Sequence, residues 1–308
     1  MVNFMKADDI KRLSKSLSLI ENGGSKALAL LKKSYAEKKS TPILGITGLP
    51  GAGKSTLVDH LIQLLRGEGK TVAVLAVDPS SPFSGGALLG DRVRMQRHAT
   101  DEGVFIRSLA SRGAHGGLSR AARDLTVCLD AFGFDQIIVE TVGVGQTELD
   151  IMGLATTTVV VLVPESGDTI QTIKAGLMEI ADIFVVNKSD LQGAENLKRM
   201  IKAMFEIPVL LTQADKGGGI TELWEAIEKH RAALKKDPGD AAHRQALRRA
   251  QFLELCGDAA KQKLQQQLTT DKKWKAMLEQ VASEKLNPYE ALEKVLENVA
   301  GDGIEPST

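Results

Sequence analysis

Residues 48–55 have the composition and order of a loop that binds phosphate groups. They read Gly-Leu-Pro-Gly-Ala-Gly-Lys-Ser and fit the pattern G-x-x-x-x-G-K-[ST]. Glycines let the backbone turn tightly with its N–H groups pointing inward, and the N-terminus of a following helix favours an anion. The apolar run 43–47 precedes the loop and the helix-like stretch 57–65 follows it, which disfavours a plain glycine-rich turn. The loop therefore predicts a site for a nucleotide polyphosphate.

The polar residues at the end of this loop have separate expected roles. Lys54 is expected to reach the β- and γ-phosphates, and the Ser55 hydroxyl is expected to ligate Mg²⁺. Thr56 should lie in the first turn of the helix. The predicted phosphate-binding residues are Gly48, Leu49, Pro50, Gly51, Ala52, Gly53, Lys54, Ser55 and Thr56.

Residues 187–190, Asn-Lys-Ser-Asp, predict which base the nucleotide carries. The Asp190 carboxylate can accept hydrogen bonds from both N1–H and the exocyclic amine of guanine, whereas adenine offers no such donor pair. Asn187 would brace the loop or touch the base, and the aliphatic stem of Lys188 would cover the base face. Such a tetrapeptide alone is usually a polar loop, but its place after the apolar run 183–186 and downstream of a phosphate loop favours guanine binding. We therefore expect GTP rather than ATP.

The next apolar run, 209–212, leads into a second loop that is expected to contact the base. GTPases usually present a backbone N–H to the guanine O6 from a loop that contains a Ser-Ala pair. Here Gln213 takes the place of the serine and precedes Ala214. Because the backbone makes this contact, we expect Gln213 and Ala214 to belong to the nucleotide site.

Three carboxylates are candidates for holding Mg²⁺. Asp78 and Glu140 each end an apolar run, and the carboxyl ends of parallel strands meet at a common ligand crevice. Residues 140–143, Glu-Thr-Val-Gly, look like a D-x-x-G switch with glutamate in place of aspartate and with the Gly143 N–H available to the γ-phosphate. Asp91 would hold Mg²⁺ or orient the attacking water, and a salt bridge with a neighbouring arginine is an equal alternative for it. These residues predict a Mg²⁺ site and a hydrolytic switch.

Seven apolar runs alternate with helical patterns through the central part of the chain. Most of them are apolar on both faces, which is typical of strands in a parallel sheet that helices cover on both sides. They predict an α/β fold with a doubly wound, mainly parallel sheet. The runs are 43–47, 72–77, 104–109, 137–141, 158–163, 183–187 and 208–212.

Both ends of the chain have helical patterns. Apolar residues recur at helical spacing in the first 40 residues, which predicts an arm of two short helices. After residue 235 strand signals are absent and three helices are predicted, the last one capped by Asn287. Such a tail buries little apolar surface alone, so it must pack on the α/β domain or on a second copy of the chain, and we favour dimerisation. The three helices are expected at 239–268, 271–283 and 288–299.

Charge and composition disfavour several classes of function. The 308 residues include 39 basic and 39 acidic ones, so no global field favours nucleic acid or an anionic membrane as a partner. Cys128 and Cys256 form no C-x-x-C pair, which argues against a disulfide framework or a zinc site and fits a reducing cytoplasm. No signal peptide is evident, and the run 159–163 is far too short to span a bilayer. The histidines lack metal-like spacing and are interpreted as surface or helix-face residues: His60, His98, His115, His230 and His243.

Four further strings are specific enough to indicate a family. They are Ala76-Val-Asp-Pro-Ser-Ser-Pro82, Gly90-Asp-Arg-Val-Arg-Met95, Val139-Glu-Thr-Val-Gly-Val-Gly-Gln146 and Gly167-Asp-Thr-Ile-Gln-Thr-Ile-Lys-Ala-Gly176. Together with the phosphate loop and residues 187–190, they resemble the MeaB/ArgK family of SIMIBI-class P-loop GTPases, to which the methylmalonic aciduria type A protein belongs. The resemblance is close from about residue 40 to residue 235 and looser through both helical ends.

This resemblance implies a function, cofactors and a partner. The family consists of chaperones of adenosylcobalamin (B12)-dependent acyl-CoA mutases, chiefly methylmalonyl-CoA mutase, in which GTP binding and hydrolysis time the loading, protection or reactivation of the mutase. The implied cofactors are GTP/GDP and Mg²⁺, and the implied assembly is a homodimer. The strand and helix patterns described above divide the chain into an N-terminal helical arm, residues 1–40, a P-loop GTPase domain, residues 41–235, and a C-terminal helical dimerisation segment, residues 236–308.

The resemblance also implies roles for individual residues. The catalytic set would be Lys54, Asp78, Asp91 and Glu140, and the environment of Mg²⁺ and water would be formed by Ser55, Asp78, Asp91 and Glu140. A loop that contains Asp168, Gln171 and Lys174 would relay the nucleotide state to the mutase. Without the resemblance, Gly167 and Asp168 would be interpreted as the cap of an ordinary helix.

Two other functions are left open by the sequence. ArgK-type proteins have carried a transport label, which suggests an ATP-driven component of basic amino-acid uptake. Residues 187–190 and the lack of any predicted membrane segment disfavour that function. A GTPase that delivers nickel shares the general fold, but such proteins usually need a Cys/His-rich metal site, and this sequence has neither an adjacent Cys pair nor a His tract.

Overall fold

The computed structural model describes residues 7–79, 96–98, 100–111, 117–141, 153–164 and 180–301. The chain separates into two compact units, Met1–Lys236 and Asp237–Thr308. The first unit contains the sheet, and the regular elements in the described part of the second unit are helices. The three-part division into residues 1–40, 41–235 and 236–308 stays a prediction.

Seven strands form one parallel sheet in the described part of the first unit. Their order across the sheet is β3-β2-β4-β1-β5-β6-β7, so β1 lies at the centre. Every neighbouring pair is parallel. The sequence prediction of a doubly wound parallel α/β sheet is therefore confirmed. The strands are β1 Ile43–Gly48, β2 Val72–Pro79, β3 Val104–Ser111, β4 Gln136–Thr141, β5 Thr157–Leu162, β6 Ile183–Val186 and β7 Val209–Leu211.

Helices cover both faces of this sheet because its strands are apolar on both sides. On β2, Val72 and Val74 pack with α3 and α6, whereas Ala73 and Leu75 pack with α1 and α4 on the opposite face. α5 packs on that opposite face beside β5 and β6. The described helices of this unit are α1 Ala7–Asn22, α2 Ser25–Glu37, α3 Lys54–Gly67, α4 Gly117–Phe132, α5 Ala194–Met204 and α6 Ile220–Leu234, with short 3₁₀ helices at Gln96–His98 and Ala214–Lys216.

The N-terminal arm is packed into the first unit by apolar and polar contacts. α1 and α2 both contact α4, and Leu13 and Leu17 are buried there. The Asp130 carboxylate of α4 accepts hydrogen bonds from the backbone N–H groups of residues 39–41 at 3.2, 3.0 and 2.9 Å. Three donors on one carboxylate hold the chain firmly where the arm leads into β1. The arm is thus continuous with the sheet's helical layer.

The second unit consists of α7 Pro238–Thr270, α8 Lys272–Ala282 and α9 Pro288–Gly301 in its described part. These bounds lie within two residues of the helices predicted from the sequence. Asn287 accepts a hydrogen bond from the Tyr289 N–H at 2.9 Å, as expected for the cap of α9. Across the described residues of both units, no helix is long and apolar enough to cross a membrane.

Candidate functional site

The phosphate-loop residues lie at the carboxyl end of the central strand. β1 ends at Gly48 and α3 begins at Lys54, so residues 49–53 connect a buried strand to a helix N-terminus. A Cβ atom on Gly48, where φ is 139°, would lie 2.1 Å from the Val161 carbonyl oxygen. A Cβ atom on Gly53, where φ is 89°, would lie 2.3 Å from the amide nitrogen of Asn187. Only glycine fits at these two positions, so the loop is closely packed against β5 and Asn187.

Lys54 is held on the loop that precedes it. Its side chain is 5% exposed, and Nζ donates to the carbonyl oxygens of Gly48 at 2.7 Å and Leu49 at 2.9 Å. These contacts fix the ammonium group beside residues 48 and 49, where the pattern predicts phosphate binding. Little side-chain entropy would remain to be lost when an anion binds, so the cation is preorganised.

The structure brings Ser55 and Glu140 together. Ser55 Oγ donates to Glu140 Oε1 at 2.7 Å, and Glu140 is fully buried at the end of β4. Thr56 lies in the first turn of α3, as predicted. A hydroxyl and a carboxylate are oxygen ligands of the kind that Mg²⁺ prefers. The chemistry of this donor pair therefore fits the predicted metal.

A pair of threonine hydroxyls lies beside Ser55 and Glu140 and was not identified from the sequence. Thr141 Oγ1 donates to Thr47 Oγ1 at 2.8 Å, and both residues are buried. Ile46 pairs with Glu140 in the sheet register, so the two threonines follow at the next position of each strand. A threonine directly before the phosphate loop and another directly after Glu140 were the signals that could have revealed this contact.

Several predicted site residues fall where the structure gives less information. The backbone of Asp78 lies near the carboxyl end of β2, which pairs with β4, and Ala76 is the partner of Glu140 in that register. β2 and β4 therefore end at the same edge of the sheet as the phosphate loop. The side chain of Asp78 lies outside the described residues, as do Asp91, Gly143, Asp168, Gln171 and Lys174.

Asn187 joins the two loops that were predicted to bind the nucleotide. Its Nδ2 donates to the carbonyl oxygen of Ala52 in the phosphate loop at 2.8 Å. Its Oδ1 accepts from Thr212 Oγ1 and from the backbone N–H of Ala214, both at 3.0 Å. Of the two roles expected for Asn187, these contacts favour bracing the loops. Thr212 was not among the predicted site residues, although it directly precedes Gln213.

The predicted base loops have a defined backbone. Lys188 adopts a left-handed conformation with φ of 55°, and Asp190 is exposed. The backbones of Gln213 and Gly218 pair in both directions, at 2.9 and 3.0 Å, and close the second loop. The Ala214 N–H, which was expected to face the guanine O6, donates to Asn187 in this structure. The two loops follow the carboxyl ends of β6 and β7. Because the strands are parallel, these ends lie at the same end of the sheet as the phosphate loop.

One histidine differs from its sequence interpretation. His98 is 7% exposed, and its Nε2 lies 2.9 Å from Asp59 Oδ1 of α3, so its interpretation as a surface or helix-face residue is wrong. His230 of α6 lies near Thr157 Oγ1, at 3.0 Å, and near Asp182 Oδ1, at 3.3 Å. Within the described ranges, no group of three or more His, Cys, Asp or Glu residues is arranged to hold a metal ion.

A comparison with protein families identifies the chain. The family model described as "Methylmalonyl Co-A mutase-associated GTPase MeaB" matches residues 13–273. The chain belongs to the MeaB family. The match extends from the first helix of the arm into α8, so it covers most of the first unit and about half of the second. The family resemblance inferred from the sequence strings is thereby confirmed.

Two of three known proteins similar to this MeaB-family chain are named as GTPases. A protein of Pyrococcus horikoshii named "Putative GTPase PH0274" is 45% identical over 313 residues, which cover 98% of each chain. "GTPase ArgK" of Escherichia coli is 43% identical over 204 residues, or 62% of each chain. The mouse protein "Methylmalonic aciduria type A homolog, mitochondrial" is 35% identical over 236 residues, which cover 71% of this chain and 57% of that protein.

A solved structure has the same fold as this MeaB-family chain. The protein named "LAO/AO transport system kinase" superposes with a TM-score of 0.64 and is 29% identical. The match covers 95% of this chain and 97% of that protein. The chain thus has the α/β fold of P-loop GTPases, with its phosphate loop between the central strand β1 and α3.

Proposed function

We propose that this protein is a GTP-binding and GTP-hydrolysing switch that assists an adenosylcobalamin-dependent acyl-CoA mutase. The first candidate for this mutase is methylmalonyl-CoA mutase. The observation that supports guanine-nucleotide binding most directly is the position of Asn187. Its side chain contacts the phosphate loop at Ala52 and the second base loop at Thr212 and Ala214. The mutase enters the proposal through the name of the family model and through the name of the mouse relative.

In the proposed complex, the two ends of the nucleotide are bound by different loops. The backbone N–H groups of residues 48–55, all except Pro50, and the N-terminus of α3 surround the phosphates, and Lys54 contributes positive charge to them. Asp190 accepts from N1–H and the exocyclic amine of guanine, while the stem of Lys188 covers the base. Gln213 and Ala214 contribute backbone to the same pocket. The nucleotide would exchange between GTP and GDP in this site.

The hydrolytic side of the site is proposed to contain Ser55, Asp78, Asp91 and Glu140. Because Ser55 donates its hydroxyl proton to Glu140, the lone pairs of Ser55 Oγ are directed away from that carboxylate and are available to a cation. When bound, Mg²⁺ neutralises charge that develops on the phosphate oxygens during transfer. The Gly143 N–H is proposed to contact the γ-phosphate, as the D-x-x-G pattern suggests.

The remaining predicted elements are proposed to couple the nucleotide state to the mutase. The loop with Asp168, Gln171 and Lys174 would transmit the nucleotide state to the mutase, and residues 236–308 would form a homodimer. Phe252 and Leu253 support the dimer because they are 65% and 69% exposed on α7, and large apolar side chains on one helix are suited to an interface. We propose a cytoplasmic protein with no nucleic-acid or membrane partner.

The proposal is tested by adding a purified adenosylcobalamin-dependent methylmalonyl-CoA mutase to the purified chain. We expect co-elution in size-exclusion chromatography and a change in the rate of GTP hydrolysis, because partner binding shifts the population of switch conformations. If the chain neither binds the mutase nor changes its GTP turnover when the mutase is added, the proposal that the mutase is its partner is contradicted. The nucleotide assignment would then be decided separately by binding measurements.

One structural relative motivates a second candidate function. The protein of known structure that matches this chain is named "LAO/AO transport system kinase". The alternative function is therefore a nucleotide-driven ATPase or kinase component of basic amino-acid transport. A competition experiment between GTP and ATP separates the two functions. Tighter ATP binding would favour the transport alternative, whereas stoichiometric nickel or zinc in the purified protein would favour a metallocentre-assembly GTPase.

A further inference from the structure

Asp59 is a buried carboxylate one turn into the phosphate-loop helix. It is 6% exposed on α3. Its Oδ1 lies 2.9 Å from Nε2 of His98, which ends the 3₁₀ helix Gln96–His98. Its Oδ2 accepts from Gln63 Nε2 at 3.1 Å, and Arg97 approaches the same oxygen at 3.8 Å. Burying a carboxylate is costly unless it is hydrogen-bonded, so these contacts are needed where Asp59 lies.

The position of Asp59 on α3 places it next to the predicted metal hydroxyl. Residues four apart in a helix share a face, and helical side chains tilt toward the N-terminus of the helix. Asp59 and Ser55 therefore lie on the same face of α3, one turn apart. The Ser55 hydroxyl donates to the Glu140 carboxylate. Asp59 is a second buried carboxylate within one helical turn of this hydroxyl, and it is bound by other residues.

We propose that His98 is a positioning residue that keeps the Asp59 carboxylate away from Ser55 and from the cation beside it. With Asp59 held by His98, Ser55 donates to Glu140 and presents its oxygen to Mg²⁺ in a single arrangement. This inference rests on the proposed function, since it assumes a nucleotide-bound Mg²⁺ at Ser55. Neither the phosphate-loop motif nor the four strings that carry the family resemblance include Asp59 or His98.

Removing the His98 ring leaves Asp59 with weaker partners. Gln63 supplies one neutral amide donor, and the Arg97 side chain is mostly exposed and lies 3.8 Å away. A buried carboxylate that loses its shortest contact is left underpaired and takes up further donors or cations within its reach. The Ser55 hydroxyl and the proposed Mg²⁺ are such groups, because Ser55 lies one helical turn away on the same face of α3. Asp59 would then compete with Glu140, and the metal would be bound in altered geometry.

A second contact between the same segment and α3 provides a matched control. Asp101 accepts two hydrogen bonds from Arg66 Nε, the shorter at 2.9 Å, and forms an ion pair with its Nη2 at 2.9 Å. Arg66 lies in the last turn of α3, about 16 Å along the helix axis from Ser55 at 1.5 Å per residue. Asp101→Asn weakens this contact of the segment around His98 and leaves Asp59 and His98 themselves unsubstituted.

The experiment measures the affinity for fluorescent mant-GDP with Mg²⁺ and with EDTA. We expect His98→Ala to reduce the Mg²⁺-dependent gain in affinity at least about tenfold, as for other residues that orient metal ligands, and to leave the affinity in EDTA unchanged. His98→Gln, which keeps an N–H donor, should restore part of the gain. The double variant Asp59→Asn/His98→Ala should restore it further, because the competing charge is gone. Asp101→Asn should lower the melting temperature and leave the Mg²⁺ effect intact.

Several results would overturn the inference. If His98→Ala weakened mant-GDP binding equally with Mg²⁺ and with EDTA, or changed only the melting temperature, His98 would be merely structural. Failure of Asp59→Asn to rescue His98→Ala would exclude competition by the Asp59 carboxylate. If the wild-type chain bound mant-ADP in preference to mant-GDP, the proposed function would fail, and the same comparison with mant-ADP would still decide the role of His98.

Discussion

At the scale of single residues, the candidate site uses side chains whose polar atoms are already engaged by the protein. Lys54 is held by two carbonyl oxygens, and Asn187 makes three hydrogen bonds within the protein. Asp190, in contrast, is exposed. The buried residues thus shape the site before any ligand arrives, while the exposed carboxylate is available for base recognition. This contrast leads to separate predictions for phosphate binding and for base selection.

Lys54→Ala is expected to weaken GTP binding at least about tenfold, because a charge-assisted hydrogen bond contributes about 1.5–3 kcal/mol. Titration calorimetry with a non-hydrolysable GTP analogue measures the effect. Lys202→Ala, which removes an exposed lysine of α5, serves as the control for lost charge. Equal affinities for wild type and Lys54→Ala would contradict the assignment of the phosphate loop.

Asp190→Asn should relax the preference for guanine. An amide offers only one acceptor atom where the carboxylate offers two, so the pair of donors on guanine is no longer matched. We expect the ratio of GTP to ATP affinity to fall at least about tenfold. The ATP affinity in the same competition experiment is the internal control, since it should change little. An unaltered ratio would remove Asp190 from the base site.

At the scale of elements, the sequence predicted what depends on local pattern. All seven strands were predicted because each is a short, mainly apolar run and most of them are buried on both faces, and the phosphate loop was placed correctly between β1 and α3. The helix α3 begins at Lys54, three residues before the apolar stretch that indicated it, because the loop motif itself supplies its first turn. Local pattern thus defines the strands and helices that position the site.

Contacts between distant segments could not be read from the sequence. Asp59 and His98 are 39 residues apart, and nothing in the residues around either one indicates that they meet. The Thr47–Thr141 pair is 94 residues apart and depends on the strand order that places β4 beside β1. Such contacts follow from the crossover topology of the sheet. A periodic pattern contains no information about that topology.

The contact between α3 and the segment before β3 gives a prediction for pH. The Arg66 guanidinium donates to Asp101 and holds the pKa of that carboxyl below its usual value of 3.8, against the opposing effect of partial burial. A lowered pKa in the folded state means that the ionised carboxylate stabilises the fold above about pH 4, and that this contribution is lost as the pH falls through the folded pKa. The stabilisation is therefore confined to the ionised form.

Asp101→Asn is accordingly expected to lower the melting temperature at pH 7, and the difference from wild type should shrink as the pH falls below about 4. Thermal denaturation followed by circular dichroism between pH 7 and pH 3 measures this dependence. Glu206→Gln, at an exposed position, is the control and should show a much smaller difference at every pH. If the difference in melting temperature between Asp101→Asn and wild type stayed constant with pH, the ionised carboxylate would not be the cause of the stabilisation.

At the scale of the whole molecule, the chain combines a nucleotide-binding unit with a separate helical unit. The first unit has an apolar core on both faces of the sheet. The described part of the second unit buries few apolar side chains and exposes several large ones, including Phe252, Leu253 and Tyr289. A helical unit of this kind gains stability when its apolar residues are covered. This is the physical basis for the proposed homodimer.

The variant Phe252→Ser/Leu253→Ser is expected to shift the protein from dimer to monomer. The two side chains are the most exposed large apolar groups in the described part of α7, and their removal takes apolar area out of the proposed interface. Light scattering after size-exclusion chromatography should report the monomer mass of 33.1 kDa for the variant and about twice that for wild type. Lys261→Ser, at an exposed polar position of the same helix, should stay dimeric. A monomeric wild type would contradict the assembly.

The hydrogen bonds of Asn187 have a thermodynamic consequence for ligands that occupy only part of the site. One amide group contacts both Ala52 and Ala214, so ordering of either loop restrains the other. Guanosine and inorganic pyrophosphate, added together, should therefore bind with positive cooperativity, each lowering the dissociation constant of the other by the same factor. Calorimetric titration of one fragment in the presence of the other measures that factor. A factor of one would mean that base and phosphate are bound independently.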